Sequence, residues 1–319
     1  MHQVDDERFF QLVACPTCVG VFGVQTAGGE IPFQVTRRES PVLVITFAGA
    51  IDRRKYTLPQ FGGARVDEYV SASVVGIADP SLARSPALTA AWYAGHEGFE
   101  TQQILPGLIR RLVSACGAER VIFVGGSVGG FAALYYSWLL PGSIVIATNP
   151  QTDLDRYPLP HTDRYRRYCR RNLDRQTPLS SVITTSVVSC YTERFENTVI
   201  YIQNAADPLH VRDHLAPFLA AVDLPDHERL LARLGYWGQA GHAQPPSREW
   251  LPWLEAAVAS PSSAAKDIQR TRRESVRAAP KPQPPSPDGE DHRLAAAIVD
   301  QARALEVETD ARSPVRSTS

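Results

Sequence analysis

Residues 121–134 read VIFVGGSVGGFAAL and place one serine, Ser127, between two pairs of glycines. The apolar residues before the glycines are typical of a strand that is buried on both faces of a sheet. The apolar residues after them predict a helix from Ser127 to about Leu140. The sequence therefore puts a hydroxyl at the turn from a buried strand to a helix, and the reason for that hydroxyl decides whether the chain is an enzyme.

Predicted strands and helices alternate on both sides of this turn. The segments predicted to carry strands are 19–24, 31–36, 41–50, 71–79, 121–126, 143–150, 197–208 and 229–246, and the predicted helices are 98–118, 127–140, 211–222 and 247–259. The first two strands flank a glycine turn and predict a hairpin. The later alternation predicts an α/β fold with a doubly wound, mostly parallel sheet of about eight strands.

Two segments depart from this alternation. Residues 152–187 are polar and rich in arginine and tyrosine, and we interpret them as a helical cap inserted into a domain that spans residues 1–260. Residues 261–319 are rich in proline, serine and alanine, which predicts a disordered tail. Within that tail, residues 293–308 have helical spacing and are a candidate for binding a protein partner.

Bulk composition excludes several classes of function. The net charge of -1 gives no reason to expect binding to nucleic acid. No apolar run approaches the roughly 18 residues of a membrane span, and the acidic first residues do not resemble a signal peptide, so we expect a cytoplasmic protein. The five cysteines show neither a disulfide framework nor the spacing of a zinc site, and no dinucleotide-binding motif is present. We therefore expect neither a metal nor a cofactor.

The segment GGSVG, residues 125–129, matches the pattern G-x-S-x-G of a nucleophile elbow. In this motif the small residues Gly125 and Gly129 let strand and helix approach closely, so that the Ser127 hydroxyl points into a site. A phosphate-binding loop does not fit, because the lysine of that motif is missing. A tight structural turn without chemistry remains the alternative.

A serine hydroxyl at neutral pH needs a general base, and the base needs an orienting carboxylate. Asp207 follows the predicted strand in 197–208, and His242 follows the last predicted strand. Both residues are therefore expected at the carboxyl edge of the sheet, where α/β folds carry their sites. The chain order Ser127, Asp207, His242 is the order found in nucleophile-elbow enzymes.

Over about residues 18–258 the chain resembles the α/β-hydrolase superfamily. The resemblance implies Ser127 as the nucleophile, His242 as the general base and acid, and Asp207 as the orienting acid. It also implies two backbone donors for an oxyanion. One is the N–H of Val128, and the other comes from the loop FAGA, at Ala48 or Gly49.

Other residues compete for these roles. Asp153 follows the strand that ends near Thr148 and is an alternative to Asp207 as the acid. His210 and His214 are expected on the surface of the next helix or in support of the site, rather than as the base. A metal site formed by Asp207, His210 and His214 is a further alternative, but it would leave the elbow unexplained.

The cap supplies the candidate substrate-binding residues Arg164, Arg167 and Tyr168, and His96 is a candidate for lining the pocket. Arginines among tyrosines suit recognition of carboxylate, phosphate or sugar groups. The alternative is a solvated helix whose arginines pair with the nearby aspartates.

Together these features predict a serine hydrolase that acts on a carboxylic ester or thioester through an acyl-enzyme, with a small molecule or a glycan ester as substrate. One alternative is an O-acyltransferase or esterase of polysaccharide biosynthesis, to which the chain shows a faint similarity. Another alternative is an inactive hydrolase fold that binds a ligand through its arginine-rich cap.

Overall fold

In the described residues of the computed structural model, nine strands form one sheet in the order β1-β2-β3-β5-β4-β6-β7-β8-β9. The strands are β1 His2–Asp5, β2 Val19–Thr26, β3 Gly29–Thr36, β4 Val42–Phe47, β5 Ser73–Ile77, β6 Arg120–Gly126, β7 Ile144–Thr148, β8 Thr198–Asn204 and β9 Leu230–Gly235. The antiparallel pairs are β2 with β3 and β3 with β5, and the other neighbours are parallel. The predicted doubly wound, mostly parallel sheet is confirmed, with β1 as a further edge strand.

Helices cover both faces of the sheet. The structure describes residues 1–278 except residues 64 and 223, and for residues 224, 225 and 227 it describes the backbone alone. The helices are α1 Asp6–Ala14, α2 Val66–Tyr69, α3 Thr101–Cys116, α4 Val128–Trp138, α5 Leu159–Cys169, α6 Val187–Glu193, α7 Pro208–His210, α8 Ala216–Ala221, α9 Ser247–Ala259 and α10 Ala265–Ala278. Among the described residues, no helix has both the length and the apolar character that crossing a membrane requires.

The buried strands contribute side chains to two apolar clusters, one on each face of the sheet. In β4, for example, Leu43 and Ile45 belong to the first cluster and Val44 belongs to the second. This alternation follows from the two-residue period of a strand, and it explains why β4 reads as an unbroken apolar run in the sequence. The first cluster contains α3 and α4, and the second contains α9.

Ordered structure continues past residue 260, where the sequence predicts the start of a disordered tail. Helix α10 buries Ile268 completely in the same apolar cluster as Trp253 of α9. The guanidinium of Arg272 lies 4.3 Å from the centre of the Trp253 ring. Two buried apolar side chains, Ala265 and Ile268, and one cation–π contact leave little periodic signal, so the polar composition of this segment masks the helix. The predicted helix at 293–308 lies outside the described residues.

The parallel strands bring their carboxyl ends to one edge of the sheet. The segments that follow β4, β6, β7, β8 and β9 therefore meet there. Between them they carry Ala48 and Gly49, Ser127, Gln151, Asp207 and His242.

Candidate active site

Ser127 occupies the turn between β6 and α4 with φ 55° and ψ −116°. A non-glycine residue in this region of backbone space is strained, and neighbouring structure has to hold it there. The Ser127 N–H donates to the Thr148 carbonyl of β7 at 2.9 Å, and the Ser127 carbonyl accepts from the Phe131 N–H of α4 at 3.2 Å. The strained turn is thus fixed on both sides, and its hydroxyl points to the carboxyl edge of the sheet.

The glycines on either side of Ser127 allow this close turn. A Cβ atom on Gly125 would overlap the carbonyl group of Gly129, and a Cβ atom on Gly129 would overlap the backbone carbonyl of Phe47. Both collisions are with backbone atoms, which cannot move aside by changing a rotamer. The G-x-S-x-G pattern is therefore required by the approach of β6, α4 and β4.

Ser127, His242 and Asp207 form a continuous series of hydrogen bonds. The Ser127 Oγ lies 2.9 Å from the His242 Nε2, and the His242 Nδ1 lies 3.1 Å from the Asp207 Oδ2. Ser127 and Asp207 are buried, at 5% and 3% exposure, whereas the side chain of His242 is one-third exposed. The structure brings the three predicted residues together, and their catalytic roles stay a prediction.

The Asp207 carboxylate decides which nitrogen of His242 carries a proton. Burial by itself raises the pKa of Asp207, but the His210 N–H, the His210 ring and the His242 ring hold its net pKa below the usual value. An ionised carboxylate can only accept hydrogen bonds, so the His242 Nδ1 is the protonated nitrogen. The His242 Nε2 is then free to accept the proton of the Ser127 hydroxyl.

Two buried asparagines hold the loop that carries His242. The Asn204 side-chain amide donates to the Gly241 carbonyl at 2.8 Å, and the Asn149 side-chain amide donates to the Ala243 carbonyl at 2.7 Å. The Asn149 side-chain oxygen also accepts the Asn204 N–H at 2.7 Å. Gly241, with φ 78°, supplies the left-handed turn before the histidine. The residues on either side of His242 are therefore fixed to the ends of β7 and β8.

Solved structures show a similar fold, although no family model and no curated protein matches the chain. The capsule O-acetyltransferase of Neisseria meningitidis serogroup A has a TM-score of 0.51 at 13% identity, over 79% of this chain and 91% of that chain. A variant of that enzyme in complex with CoA has a TM-score of 0.50 at 11% identity, over 84% and 97%. The dipeptidyl peptidase 4 of Porphyromonas gingivalis has a TM-score of 0.51 at 14% identity, over 74% and 34%.

The chain has the α/β-hydrolase fold. The similarity to these structures is one of fold, and the chemistry of this hydrolase fold depends on the side chains that the chain itself places at the site.

Only one of the two proposed donors in the loop FAGA is available. The Ala48 N–H donates to the Tyr93 hydroxyl at 2.7 Å, which occupies it within the core. Within the described part of the chain, the Gly49 N–H has no hydrogen-bond acceptor. Val128 is the first residue of α4, so its N–H has no carbonyl within that helix to donate to. Val128 and Gly49, rather than Ala48, are therefore the candidate pair of oxyanion donors in this hydrolase fold.

Sequence reasoning missed Gln151, which contacts the serine directly. The Gln151 Nε2 donates to the Ser127 Oγ at 2.9 Å, and the Gln151 Oε1 accepts from the Trp92 Nε1 at 3.1 Å. Gln151 is fully buried. Its position just after β7, at the carboxyl edge of the sheet, is the one sequence signal that could have identified it. The Ser127 Oγ thus has a second hydrogen-bond partner besides His242, and this partner helps to fix its position.

His210 supports the same carboxylate as His242. Its Nδ1 lies 2.9 Å from the Asp207 Oδ2, and its ring stacks on the His242 ring with the centroids 4.1 Å apart. His214 lies behind it, and its Nδ1 accepts the Thr152 N–H at 3.2 Å. Both histidines are buried and contact the site, so they support the site rather than lie on the surface of the helix.

Asp153, the alternative acid, and His96, the loop histidine, both lie away from Ser127. The Asp153 Oδ1 accepts the Asp155 N–H at 3.0 Å, and its other oxygen lies 3.6 Å from Arg156. The structure gives Asp153 no contact with His242. The His96 ring lies beside Phe99, and its Nδ1 lies 2.9 Å from the Glu97 carbonyl oxygen. His96 thus fastens its own loop, and no contact joins it to the serine.

The cap residues predicted to bind substrate lie on α5. Arg164 and Arg167 are exposed, and the Arg167 guanidinium lies 5.5 Å from the centre of the half-buried Tyr168 ring. On the buried face of α5, Tyr165 packs against Trp92, with the ring centroids 5.9 Å apart. Trp92 donates a hydrogen bond to Gln151, and Gln151 donates one to Ser127. The cap helix is therefore connected to the serine through the side chains of Trp92 and Gln151.

One group of side chains has the donor atoms of a metal site. Asp207, His210 and His242 each offer a ligand atom, and these atoms lie within 4.8 Å of one another. Two imidazoles and a carboxylate suit zinc. A metal here would compete with the hydrogen bond between His242 and Asp207. The strained serine turn would then be left without its base, so the hydrogen-bonded series is the arrangement that accounts for more of the structure.

The two buried histidines predict an acid-sensitive fold. Burial and the neighbouring His242 lower the pKa of His210 from 6.5 to about 4, and burial lowers the pKa of His214 to about 3. Between pH 6.5 and about 4 the unfolded chain therefore binds more protons than the folded chain. The free energy of unfolding is expected to fall as the pH decreases through this range, by up to about 1.4 kcal/mol per pH unit for each histidine.

Urea denaturation at a series of pH values between 7.5 and 4.5 measures this dependence. The His214→Gln variant should show a shallower pH slope than the parent, whatever its stability at pH 7.5. An unchanged slope in this variant would contradict the prediction.

Proposed function

We propose that the chain catalyses acyl transfer from a carboxylic ester or thioester, with an acyl-enzyme at Ser127 as the intermediate. The observation that carries the proposal is the series Ser127, His242 and Asp207, joined at 2.9 and 3.1 Å, with the serine in a strained turn. A nucleophile, a base in reach of it and a carboxylate in reach of the base are the parts that this chemistry requires.

In the first step the Ser127 Oγ attacks the carbonyl carbon of the ester, and its proton passes to the His242 Nε2. The oxygen of the tetrahedral intermediate gains negative charge and lies against the N–H groups of Val128 and Gly49. Val128 also begins α4, and the amino end of a helix favours negative charge. The carbon–oxygen or carbon–sulfur bond of the leaving group then breaks, and the leaving group takes the proton from His242.

In the second step an acceptor hydroxyl attacks the acyl-Ser127 ester and gives its proton to His242. The second tetrahedral intermediate collapses with release of the Ser127 Oγ, which recovers the proton from His242. Asp207 keeps the imidazole in one orientation and stabilises its charged form in both steps. Water as the acceptor makes the reaction a hydrolysis.

A second candidate function uses a sugar hydroxyl as the acceptor, which would make the chain an O-acyltransferase. The observation that favours it is the fold similarity to a capsule O-acetyltransferase over 79% of the chain. An assay of acetyl-CoA consumption, with and without an added oligosaccharide, separates the two functions. Faster consumption with the oligosaccharide, together with an O-acetylated product, would favour transfer over hydrolysis.

A fluorophosphonate probe tests the proposed nucleophile. The probe is expected to label the parent protein at Ser127, as located by peptide mass spectrometry, because the hydroxyl has a base within hydrogen-bond reach. Labelling should vanish in Ser127→Ala and fall by orders of magnitude in His242→Ala. The Asp153→Asn variant is the matched control and should label like the parent.

The opposing outcome is a well-folded parent protein that takes up no probe. That result would overturn the proposed enzyme and favour a hydrolase fold that only binds a ligand.

A further inference from the structure

The arginines of the cap line a groove on the outer side of α5 and the segment after it. Its volume is about 650 Å³, which is within the range of sites for small ligands. Asp163 and Leu173 complete the lining, so the groove is lined by one acidic residue and six arginine residues. The arginines are Arg164, Arg166, Arg167, Arg170, Arg171 and Arg175.

Most of these positive charges are not neutralised by the protein. Within the described residues, Arg170 is the one groove arginine in an ion pair, with Glu100 at 2.6 Å. Arg166 donates to the Asp174 carbonyl oxygen at 3.0 Å. Neither the Asp163 nor the Asp174 carboxylate lies within 4.0 Å of a groove arginine. Pairing with nearby aspartates therefore does not account for this cluster.

Hydrogen bonds within the protein hold the floor of the groove in place. The Arg170 side chain is 4% exposed, and its guanidinium donates to both Glu100 oxygens and to the Ala94 carbonyl. The Tyr165 hydroxyl donates to the Gly95 carbonyl at 2.8 Å. These contacts anchor the end of α5 to the loop before α3. The exposed arginines thus project from a fixed support.

We propose that this groove is an anion-binding site for a small molecule that carries two or more phosphate groups. Several guanidiniums held close together repel one another, and a multiply charged oxyanion relieves that repulsion while it accepts their hydrogen bonds. The site lies on the outer face of the cap, and its binding does not depend on the chemistry proposed at Ser127.

A small phosphorylated ligand fits better than a nucleic acid. The chain has a net charge of -1, so the protein as a whole does not attract a polyanion. Duplex binding usually draws on a basic surface that follows the phosphate backbone over a longer distance. A concave groove of about 650 Å³ instead has the size of a site for a small ligand.

Isothermal titration calorimetry with inorganic tripolyphosphate tests the site. The parent and the Ser127→Ala variant are expected to bind it equally, because the groove and the serine are separate. Combined Arg164→Gln, Arg171→Gln and Arg175→Gln substitutions should weaken binding by about tenfold or more, since each removes a charge-assisted hydrogen-bond donor. Within the described structure the side chains of these three arginines form no hydrogen bond and no ion pair, so the fold should be retained.

The matched control removes the same charge elsewhere. Arg8, Arg110 and Arg229 are exposed, lie outside the groove and form no ion pair within the described residues. Their combined substitution by glutamine should change the affinity by no more than about twofold. An equal loss in both triple variants, or no saturable binding by the parent, would overturn the proposal. Tighter binding of a 20-base-pair DNA duplex through the same three arginines would assign the groove to nucleic acid and overturn it too.

Discussion

The Asp207→Asn variant is expected to fold normally and to lose about four orders of magnitude in kcat toward an activated ester such as p-nitrophenyl acetate. An asparagine at this position can still cap α7, because its side-chain oxygen can accept the His210 backbone N–H as Asp207 does. The local structure should therefore be kept. Its amide, however, lacks the negative charge that stabilises a protonated His242. It can also donate a hydrogen bond to the imidazole and so favour the wrong tautomer.

The Asp153→Asn variant is the matched control for this prediction. Asp153 follows β7 as Asp207 follows β8, and it loses the same charge on substitution, but it has no contact with His242. Its kcat should stay within a few-fold of the parent value. If Asp153→Asn shows the large loss and Asp207→Asn does not, the assignment of the acid is wrong.

The Gly125→Ala variant is expected to lose about 3 kcal/mol or more of its free energy of unfolding, as measured by urea denaturation. The added Cβ would overlap the Gly129 carbonyl, so β6 and α4 would have to separate. That separation would also move the Ser127 hydroxyl from its position against His242. We therefore expect the fluorophosphonate labelling of any folded fraction to be lost as well.

Gly107 provides the control for this substitution. It lies inside α3, and a Cβ atom there would meet nothing within 4 Å. Gly107→Ala should therefore stabilise the protein slightly, by about 0.5–1 kcal/mol, because alanine loses less backbone freedom in a helix. A Gly125→Ala variant as stable as Gly107→Ala would show that the close approach at the elbow is not required.

The sequence predicted the parts of this protein that depend on local pattern. Continuous apolar runs predicted the buried strands, and G-x-S-x-G predicted the turn at Ser127. The carboxyl ends of the last two strands predicted Asp207 and His242 as its partners, since parallel strands end at one edge of the sheet. Each of these inferences uses residues whose spacing or order along the chain carries the information.

Several features could not be predicted in this way, because they depend on side chains that are distant in the sequence. Gln151 reaches Ser127 because β6 and β7 are neighbours, and His210 stacks on His242 because the loop after β9 folds back over α7. The choice between Ala48 and Gly49 depends on the Tyr93 hydroxyl, which enters from another loop. Helix α10 was missed because its contact with Trp253 involves few apolar residues.

The arginine groove shows the same division between sequence and structure. The composition of residues 164–175 established by itself that positive charge is concentrated there. Only the tertiary structure decided whether the charge is neutralised, because an ion pair needs two groups within a few ångströms and the sequence gives no distances. By the same reasoning, the sequence determined that a serine follows a buried strand in a glycine-lined turn. The packing of five strand ends decided which imidazole and which carboxylate lie beside that serine.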